Sequence, residues 1–217
     1  MKRFVTEVQR FAPETFYWEQ FSDELKTTLS SAAFRADPEV VLFDPLPLAM
    51  AAMNRLVGHA SRAFILLTNA NHERASLSLR ENMRIPVWAH ESAKPDLEMD
   101  VNECFKEGDK LPAGLKAIHI PGSSPSETAY FTPKNGGIVF IGDALVNLDP
   151  EKGMEFLPDK YSKDPKQSRE SLGKLLKLDF EMMTFAHGQP IVRDAKKCLA
   201  ALLEGNGSRK FRTAESE

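Results

Sequence analysis

The chain has 217 residues, of which 42% are hydrophobic and 27% are charged, and its formal net charge is -3. This length and apolar content suffice for one sizeable domain. The balanced charge provides no basic field for nucleic acid, and no apolar run approaches the roughly 20 residues that span a bilayer. The N-terminus starts basic but lacks the apolar core of a secretory signal. We therefore expect a cytoplasmic protein without a nucleic-acid or membrane partner.

The first part of the chain contains aromatic and apolar segments. Residues 4–21 are rich in aromatics and broken by Pro13, which is typical of irregular or edge-strand structure packed on a core. Exposed aromatics here would favour a homodimer. Residues 26–34 and 40–43 are predicted to be strands joined by a turn. The second strand ends at Asp44, which either caps a turn or orients a metal ligand through its second oxygen.

The middle of the chain alternates helix and strand patterns. Apolar residues recur with helical spacing over residues 46–59, and the short apolar run at residues 63–67 predicts a buried strand. A helix is expected over residues 72–83, because this segment contains good helix formers. Residues 85–89 and 115–120 are predicted to be further strands.

The last part of the chain combines a hairpin with two helices. Residues 128–131 and 137–142 are expected to pair across an Asn-Gly turn, which is a strong hairpin signal. Helices over residues 165–178 and 191–203 flank a predicted strand at residues 182–186.

These elements predict a single domain over residues 1–205. Residues 206–217 are polar and are expected to form a disordered tail. Cys104 and Cys198 form no paired ligand motif, so we expect both thiols to be reduced and either buried or incidental.

Polar side chains crowd the end of the central strand, where α/β folds commonly place their chemistry. After Thr68 come five side chains that could bind metals or protons: Asn69, Asn71, His72, Glu73 and Arg74. The two asparagines could instead hydrogen-bond neighbouring backbone groups. The order T-N-A-N-H-E-R resembles the T-H-x-H-x-D-H signature of the metallo-β-lactamase superfamily, with the frame kept and the ligands changed.

Four more segments resemble this superfamily in the order that it requires. LFDP matches a leading strand end with its supporting Asp44, and PGSSPSE resembles P-G-H-S-P-G-S with Ser123 in the place of the ligand histidine. FIGDAL resembles F-x-G-D with Asp143 at the metal-bridging carboxylate, and FAHGQP resembles the G-H-G turn with His187 at the ligand position. The resemblance covers about residues 26–205. It implies an α/β fold, a four-layer αββα sandwich of two mixed β-sheets flanked by helices. A generic doubly wound α/β domain is the alternative, but the chain lacks a Gly-rich phosphate loop.

The resemblance also implies which metal ions the site could hold. An intact site of this superfamily binds two ions that polarise a water molecule. The imidazole positions of the first ion are taken here by neutral side chains that bind zinc poorly: Asn69, Asn71 and Ser123. We expect that position to be empty. The second position retains Glu73, Asp143 and His187, so the chain would bind either no cofactor or one zinc, iron or manganese ion.

Three other residues bear on this second position. Arg74 takes its missing histidine slot, where a fixed positive charge opposes a cation and could pair with Glu73 and Asp143 instead. His72 lies at a variable slot and would become a ligand only if the backbone shifted by one residue. His119 is expected to support the site without binding metal.

Two functions are open at this point. In the first, the chain is a hydrolase of a small ester, thioester or phosphate-type substrate. Asp143 would then bind metal or act as general base, His187 would be a ligand or proton donor, and Glu73 would support either. In the second, the chain is a non-catalytic pseudoenzyme that serves as a binding or dimerisation module. The changed ligand set disfavours a zinc-dependent reaction and therefore favours the second function.

Overall fold

The computed structural model describes residues 4–205. The predicted tail at residues 206–217 lies outside the described residues. Within residues 4–205, no helix has both the length and the apolar character needed to cross a membrane.

The larger sheet contains seven strands: β1 (Gln9–Ala12), β2 (Thr15–Ser22), β3 (Thr27–Ala36), β4 (Glu39–Phe43), β5 (Arg62–Leu66), β6 (Val87–His90) and β7 (Glu103–Phe105). Their order in the sheet is their order in the chain. Pairing is antiparallel from β1 to β4 and parallel from β4 to β7. Val40, Val41 and Leu42 of β4 are fully buried, as expected for a strand that is covered on both faces.

The remaining strands are β8 (Lys116–His119), β9 (Thr128–Thr132), β10 (Ile138–Phe140), β11 (Leu145–Val146), β12 (Glu155–Phe156) and β13 (Met182–Thr184). The smaller sheet has the order β13-β10-β9-β8, while β11 and β12 form a separate ribbon. β10 pairs antiparallel with β9 and parallel with β13. The turn between β9 and β10 contains Asn135 and Gly136 with φ of 57° and 83°, so the predicted Asn-Gly hairpin is confirmed.

In the described part of the chain, four α-helices cover the two sheets: α1 (Met50–Val57), α2 (Ser76–Met83), α3 (Pro165–Leu172) and α4 (Ala195–Leu203). Between the sheets, the rings of Phe43 and Phe140 stack with their centroids 4.0 Å apart. A second apolar cluster includes Met53 of α1, and a third joins the smaller sheet to Leu172 of α3 and Leu199 of α4. The layers therefore run helix, sheet, sheet, helix, which confirms the predicted αββα sandwich with two mixed sheets.

Two helices in the first half of the chain differ from the predictions. α1 begins only at Met50, because Pro45 and Pro47 disfavour helical backbone in the residues that precede them. The helix predicted over residues 72–83 begins only at Ser76, as α2, and His72 is instead the last residue of a 3-10 helix, Ala70–His72. Arg74 lies between them in left-handed backbone, with φ of 44°.

The second half differs mainly in helix length. Beyond α3 the chain continues as the 3-10 helix Gly173–Lys177, and α4 begins four residues later than the pattern indicated, at Ala195. Strands β7, β11 and β12 are too short to produce a periodic signal. Cys104 is exposed and Cys198 is partly buried, and both thiols are free.

Candidate metal centre

Four strand ends meet at one edge of the sandwich. Asp44 comes directly after β4, while Thr68, Asp143 and His187 follow within three residues of β5, β10 and β13. Because β4 runs parallel to β5 and β10 runs parallel to β13, the carboxyl ends of each pair lie at the same edge of their sheet. The backbone N–H of Thr128 donates to the carbonyl oxygen of Thr68 at 2.8 Å. This hydrogen bond joins the two sheets beside the converging side chains.

His72, Asp143 and His187 form a group that we call the imidazole cluster. Asp143 Oδ1 lies 3.1 Å from His72 Nε2 and 3.2 Å from His187 Nε2. These three atoms lie within 4.8 Å of one another, which is close enough for one ion to contact all of them. Oδ1 is buried and has no hydrogen-bond partner of acceptable geometry among residues 4–205. A cation held by the three atoms would satisfy this oxygen.

Both imidazoles are oriented through their Nδ1 atoms. His72 Nδ1 lies 2.9 Å from Asp44 Oδ2, and Asp44 Oδ1 accepts a 2.8 Å hydrogen bond from the backbone N–H of Thr68. His187 Nδ1 lies 3.2 Å from the carbonyl oxygen of Thr28. A ring that donates its Nδ1–H to an acceptor presents the lone pair of Nε2 to a metal. Asp44 therefore has the contact of an orienting carboxylate, and its partner is His72.

The 3-10 helix Ala70–His72 explains why His72 enters the site. Asn69 caps this helix, since its Oδ1 accepts a 2.9 Å hydrogen bond from the backbone N–H of Asn71. The next residue, Glu73, is held by a different segment, because its Oε1 accepts hydrogen bonds from the backbone N–H groups of Glu98 and Met99 at 2.7 and 3.0 Å. The sequence prediction put Glu73 beside Asp143 and His187, whereas the structure brings His72 there.

Arg74 is partly buried but does not pair with Glu73 or Asp143 as the sequence argument suggested. Its guanidinium donates to the carbonyl oxygens of Ser30, Asp44 and Ala186, the last two at 3.0 and 3.1 Å. Among the described residues, no ion pair joins it to Glu73 or Asp143 within 4.0 Å. Burial lowers the pKa of Arg74, although the charges of Asp44 and Asp143 oppose this shift. The side chain thus links β3 to the residues that follow β4 and β13.

On the other side of Asp143 lies a carboxyl group that the sequence analysis missed. Asn69 Nδ2 donates to Glu127 Oε2 at 2.9 Å and to Asp143 Oδ2 at 3.2 Å. Glu127 is fully buried, and its Oε1 accepts a 3.3 Å hydrogen bond from the backbone N–H of Ala144. A Cβ at Gly142 would lie only 2.6 Å from Glu127 Oε1, so the carboxyl group fits only because this residue is glycine. Its sequence signal is weak, because a single Glu before a strand is common.

The buried charges shift one another's pKa values. Burial alone would lower the pKa of His72, but Asp143 and Asp44 together outweigh burial and Arg74 and raise it to about 9. Burial would raise the pKa of Asp143, but the two histidines hold it well below its usual range. Burial and the Asp143 charge raise the pKa of Glu127 to about 8.

The other predicted site residues lie outside the imidazole cluster. Ser123 is buried, and its hydroxyl has no hydrogen-bond partner within residues 4–205. Asn71 is exposed. The His119 ring stacks on His90 with centroids 4.2 Å apart, and its Nε2 lies 2.8 Å from the Pro125 carbonyl oxygen. His119 therefore contacts the loop that carries Ser123 rather than the cluster itself.

A recess of about 370 Å³ opens beside the 3-10 helix. Its lining residues are Ala70, Asn71, Glu73, Arg74, Asp96 and Glu98. The recess is mostly polar and carries three carboxylates, but none of the three residues of the imidazole cluster lines it.

The sequence of residues 8–205 matches the family model of the metallo-β-lactamase superfamily. The chain belongs to this superfamily. Comparison with curated proteins gave no match.

Solved structures of the superfamily share the fold. The DIM-1 metallo-β-lactamase superposes with a TM-score of 0.71 at 15% identity, covering 92% of this chain and 97% of that one. The B3 metallo-β-lactamase BLEG-1 gives a TM-score of 0.59 at 22% identity, covering 80% and 92%. TTHA1623, solved in a di-iron-bound form, gives a TM-score of 0.62 at 25% identity, covering 88% and 98%.

The donor set of the imidazole cluster fits a divalent transition metal. Two imidazole nitrogens and one carboxylate oxygen are a common set for zinc and for non-haem iron, and three protein ligands leave room for water or substrate. The buried Asp143 Oδ1, which has no hydrogen-bond partner of good geometry within residues 4–205, agrees with that fit.

Proposed function

We propose that the chain is a metal-dependent hydrolase whose site holds one divalent transition metal, zinc, iron or manganese, through His72, Asp143 and His187. The observation that carries this proposal is the convergence of two Nε2 atoms on a buried carboxylate oxygen that accepts no hydrogen bond of good geometry from residues 4–205. This set replaces the one expected from the sequence, in which Glu73 took the place of His72.

Each residue of the site has a task in this reaction. Asp44 and the Thr28 carbonyl group hold the two imidazoles by Nδ1, so that Nε2 faces the ion. The metal, when bound, lowers the pKa of a coordinated water and polarises the bond to be cleaved. Asp143 Oδ1 is a ligand in this arrangement, so it is not free to act as the general base. Arg74 holds β3 to the residues that follow β4 and β13, and it lines the polar recess.

The substrate class follows from the superfamily rather than from a side chain. We propose a small ester, a thioester or a phosphate-containing molecule. The three carboxylates of the recess, Glu73, Asp96 and Glu98, favour a substrate that also carries a positive or hydrogen-bond-donating group there.

A non-catalytic binding module is the second candidate, and one observation favours it. His72 already contacts two carboxylates, Asp44 and Asp143, and the buried charge of Arg74 opposes a second positive charge. A metal-free network could therefore stabilise the fold without any reaction. Dimerisation through exposed N-terminal aromatics such as Phe21 would suit such a module.

Elemental analysis of protein purified without added metal separates the two candidates. We expect about one equivalent of transition metal in the wild type and in the control Asp149→Ala, which removes an exposed carboxylate, and almost none in Asp143→Ala. The same proteins are assayed with a nitrophenyl ester, a thioester and a phosphate ester. Hydrolysis that follows metal content supports the enzyme, whereas absence of metal after loading with zinc, iron and manganese supports the binding module.

Three further features are proposed from the sequence. A single domain over residues 1–205, a cytoplasmic location and a homodimer are each consistent with the sequence. Size-exclusion chromatography with light scattering tests the homodimer directly.

A further inference from the structure

The second oxygen of Asp143 is engaged by protein rather than left for a metal. Asn69 Nδ2 donates to Asp143 Oδ2 and to Glu127 Oε2, which uses both amide hydrogens, and Asn69 Oδ1 accepts from the backbone N–H of Asn71. These three contacts fix the amide orientation, because a flipped amide would face two carboxyl groups with its own oxygen. The N–H hydrogens of Asn69 therefore lie on the side of Asp143 Oδ2 at which a second cation would bind.

Glu127, which accepts a hydrogen bond from Asn69, is itself held in place by buried contacts. Glu127 is fully buried and held by the backbone N–H of Ala144. The neighbouring Ser126 Oγ accepts a 3.1 Å hydrogen bond from the backbone N–H of Ala70, so the segment carrying Glu127 is fastened to the one carrying Asn69. The amide thus cannot turn away without breaking several buried hydrogen bonds.

We propose that Asn69, held by Glu127, is the positioning residue that restricts Asp143 to one metal-binding oxygen and limits the centre to a single ion. This inference rests on the proposed single-metal site. An amide nitrogen is not a metal ligand, and its hydrogens repel a cation. Replacing this one amide by a carboxylate would reverse the effect, because three carboxyl groups would then meet at one point and offer oxygen ligands.

The test counts metal ions in Asn69→Asp and in the matched control Asn71→Asp. Both variants add one negative charge to the same short helix, but Asn71 is exposed and, within residues 4–205, forms no side-chain hydrogen bond to either carboxyl group. After loading with Mn²⁺ or Zn²⁺, native mass spectrometry is expected to show two ions in Asn69→Asp and one in Asn71→Asp and in the wild type. In metal-free protein, Asn69→Asp is expected to lower Tm more than Asn71→Asp, since buried like charges repel.

The outcomes separate this inference from the proposed function. No ion in the wild type would overturn the proposed function, whereas two ions in the wild type would overturn the role of Asn69. One ion in both the wild type and Asn69→Asp, or two ions in both variants, would overturn the role of Asn69 and leave the single-metal site intact.

A second variant keeps the test decisive if Asn69→Asp does not fold. Asn69→Ala removes the donor without adding charge, so Asp143 Oδ2 becomes free. A crystal structure of this variant with bound metal is expected to show both Asp143 oxygens on the ion, while the wild type uses Oδ1 alone. Coordination through Oδ1 alone in both proteins would contradict the positioning role.

Discussion

On one side of the Asp143 carboxylate, Oδ1 faces the Nε2 atoms of His72 and His187, whereas on the other side Oδ2 receives an N–H of Asn69. The first side offers lone pairs to a cation, and the second offers hydrogens that repel one. Both oxygens belong to one carboxyl group, but only Oδ2 accepts a hydrogen bond of good geometry from residues 4–205. The comparison shows that one oxygen of Asp143 faces atoms that could hold a metal ion, whereas the other is engaged by an amide N–H.

The largest effect is expected from removing His72, the histidine on the Oδ1 side that the sequence motif did not assign as a ligand. His72→Ala is expected to reduce affinity for zinc by at least about 100-fold, because even losing the partner of a ligand costs 10–100-fold. Glu73→Ala is the matched control, and it is expected to change affinity by less than about threefold, since Glu73 binds the backbone of Glu98 and Met99 and its contribution is local. Isothermal titration calorimetry measures both. The reverse ranking would restore the motif-based ligand set.

The Oδ2 side of Asp143 is tested by the pH dependence of stability in the Glu127→Gln variant. The pKa of Glu127 is raised from 4.5 to about 8, so the folded protein keeps a proton that the unfolded chain releases. Stability from this group is therefore complete below pH 4.5 and is lost as pH rises to about 8.

Glutamine cannot ionise, so the variant lacks this loss. In metal-free protein, the unfolding free energy of the wild type is expected to fall relative to that of Glu127→Gln by roughly 4 kcal/mol between pH 4.5 and 8, since one pKa unit is about 1.4 kcal/mol. Urea unfolding across this range measures the difference. Parallel pH profiles would show that Glu127 ionises as readily in the folded protein as in the unfolded chain.

Asp44→Asn tests whether the Asp44 carboxylate orients the His72 ring. An asparagine at this position would donate its Nδ2–H to His72 Nδ1 and force the ring proton onto Nε2, which must be free to bind metal. Zinc affinity is expected to fall about 10–100-fold. Asp23→Asn, an exposed position, is the control. Unchanged affinity in Asp44→Asn would mean that the carboxylate does not orient the ring.

Arg74→Lys tests the hydrogen bonds that Arg74 donates to three carbonyl groups near the site, and it has the smallest expected effect. Lysine keeps the charge but cannot reach three carbonyl groups with a planar fork. Unfolding free energy is expected to fall by about 1–2 kcal/mol, with little change in Arg84→Lys, which is exposed. Thermal unfolding followed by circular dichroism compares them. Equal stability of the two variants would show that these carbonyl groups do not depend on the guanidinium.

Much of the fold was predictable because its strands are apolar runs that end at turn residues. The strand before Asp44, the central strand before Thr68 and the hairpin at Asn135 follow this rule. Boundaries failed where a local residue overrode the pattern, as Pro47 does for α1. The shortest strands gave no signal, since two or three residues cannot display a period.

The site was predictable only where it depends on strand ends. Asp143 and His187 follow β10 and β13, so motif order along the chain was enough to place them. The exchange of Glu73 for His72 was not, because the Glu73 side chain is held by the backbone of Glu98 and Met99, which are distant in the sequence. Glu127 was missed for the same reason, since its partner Asn69 lies on another element.

The most direct test of the single-metal centre is a crystal structure of the wild type grown with Zn²⁺ and measured at the zinc absorption edge. We expect one anomalous peak, in contact with His72 Nε2, His187 Nε2 and Asp143 Oδ1. Two peaks flanking Asp143, a peak at Glu73, or no peak at this edge of the sandwich would contradict the account.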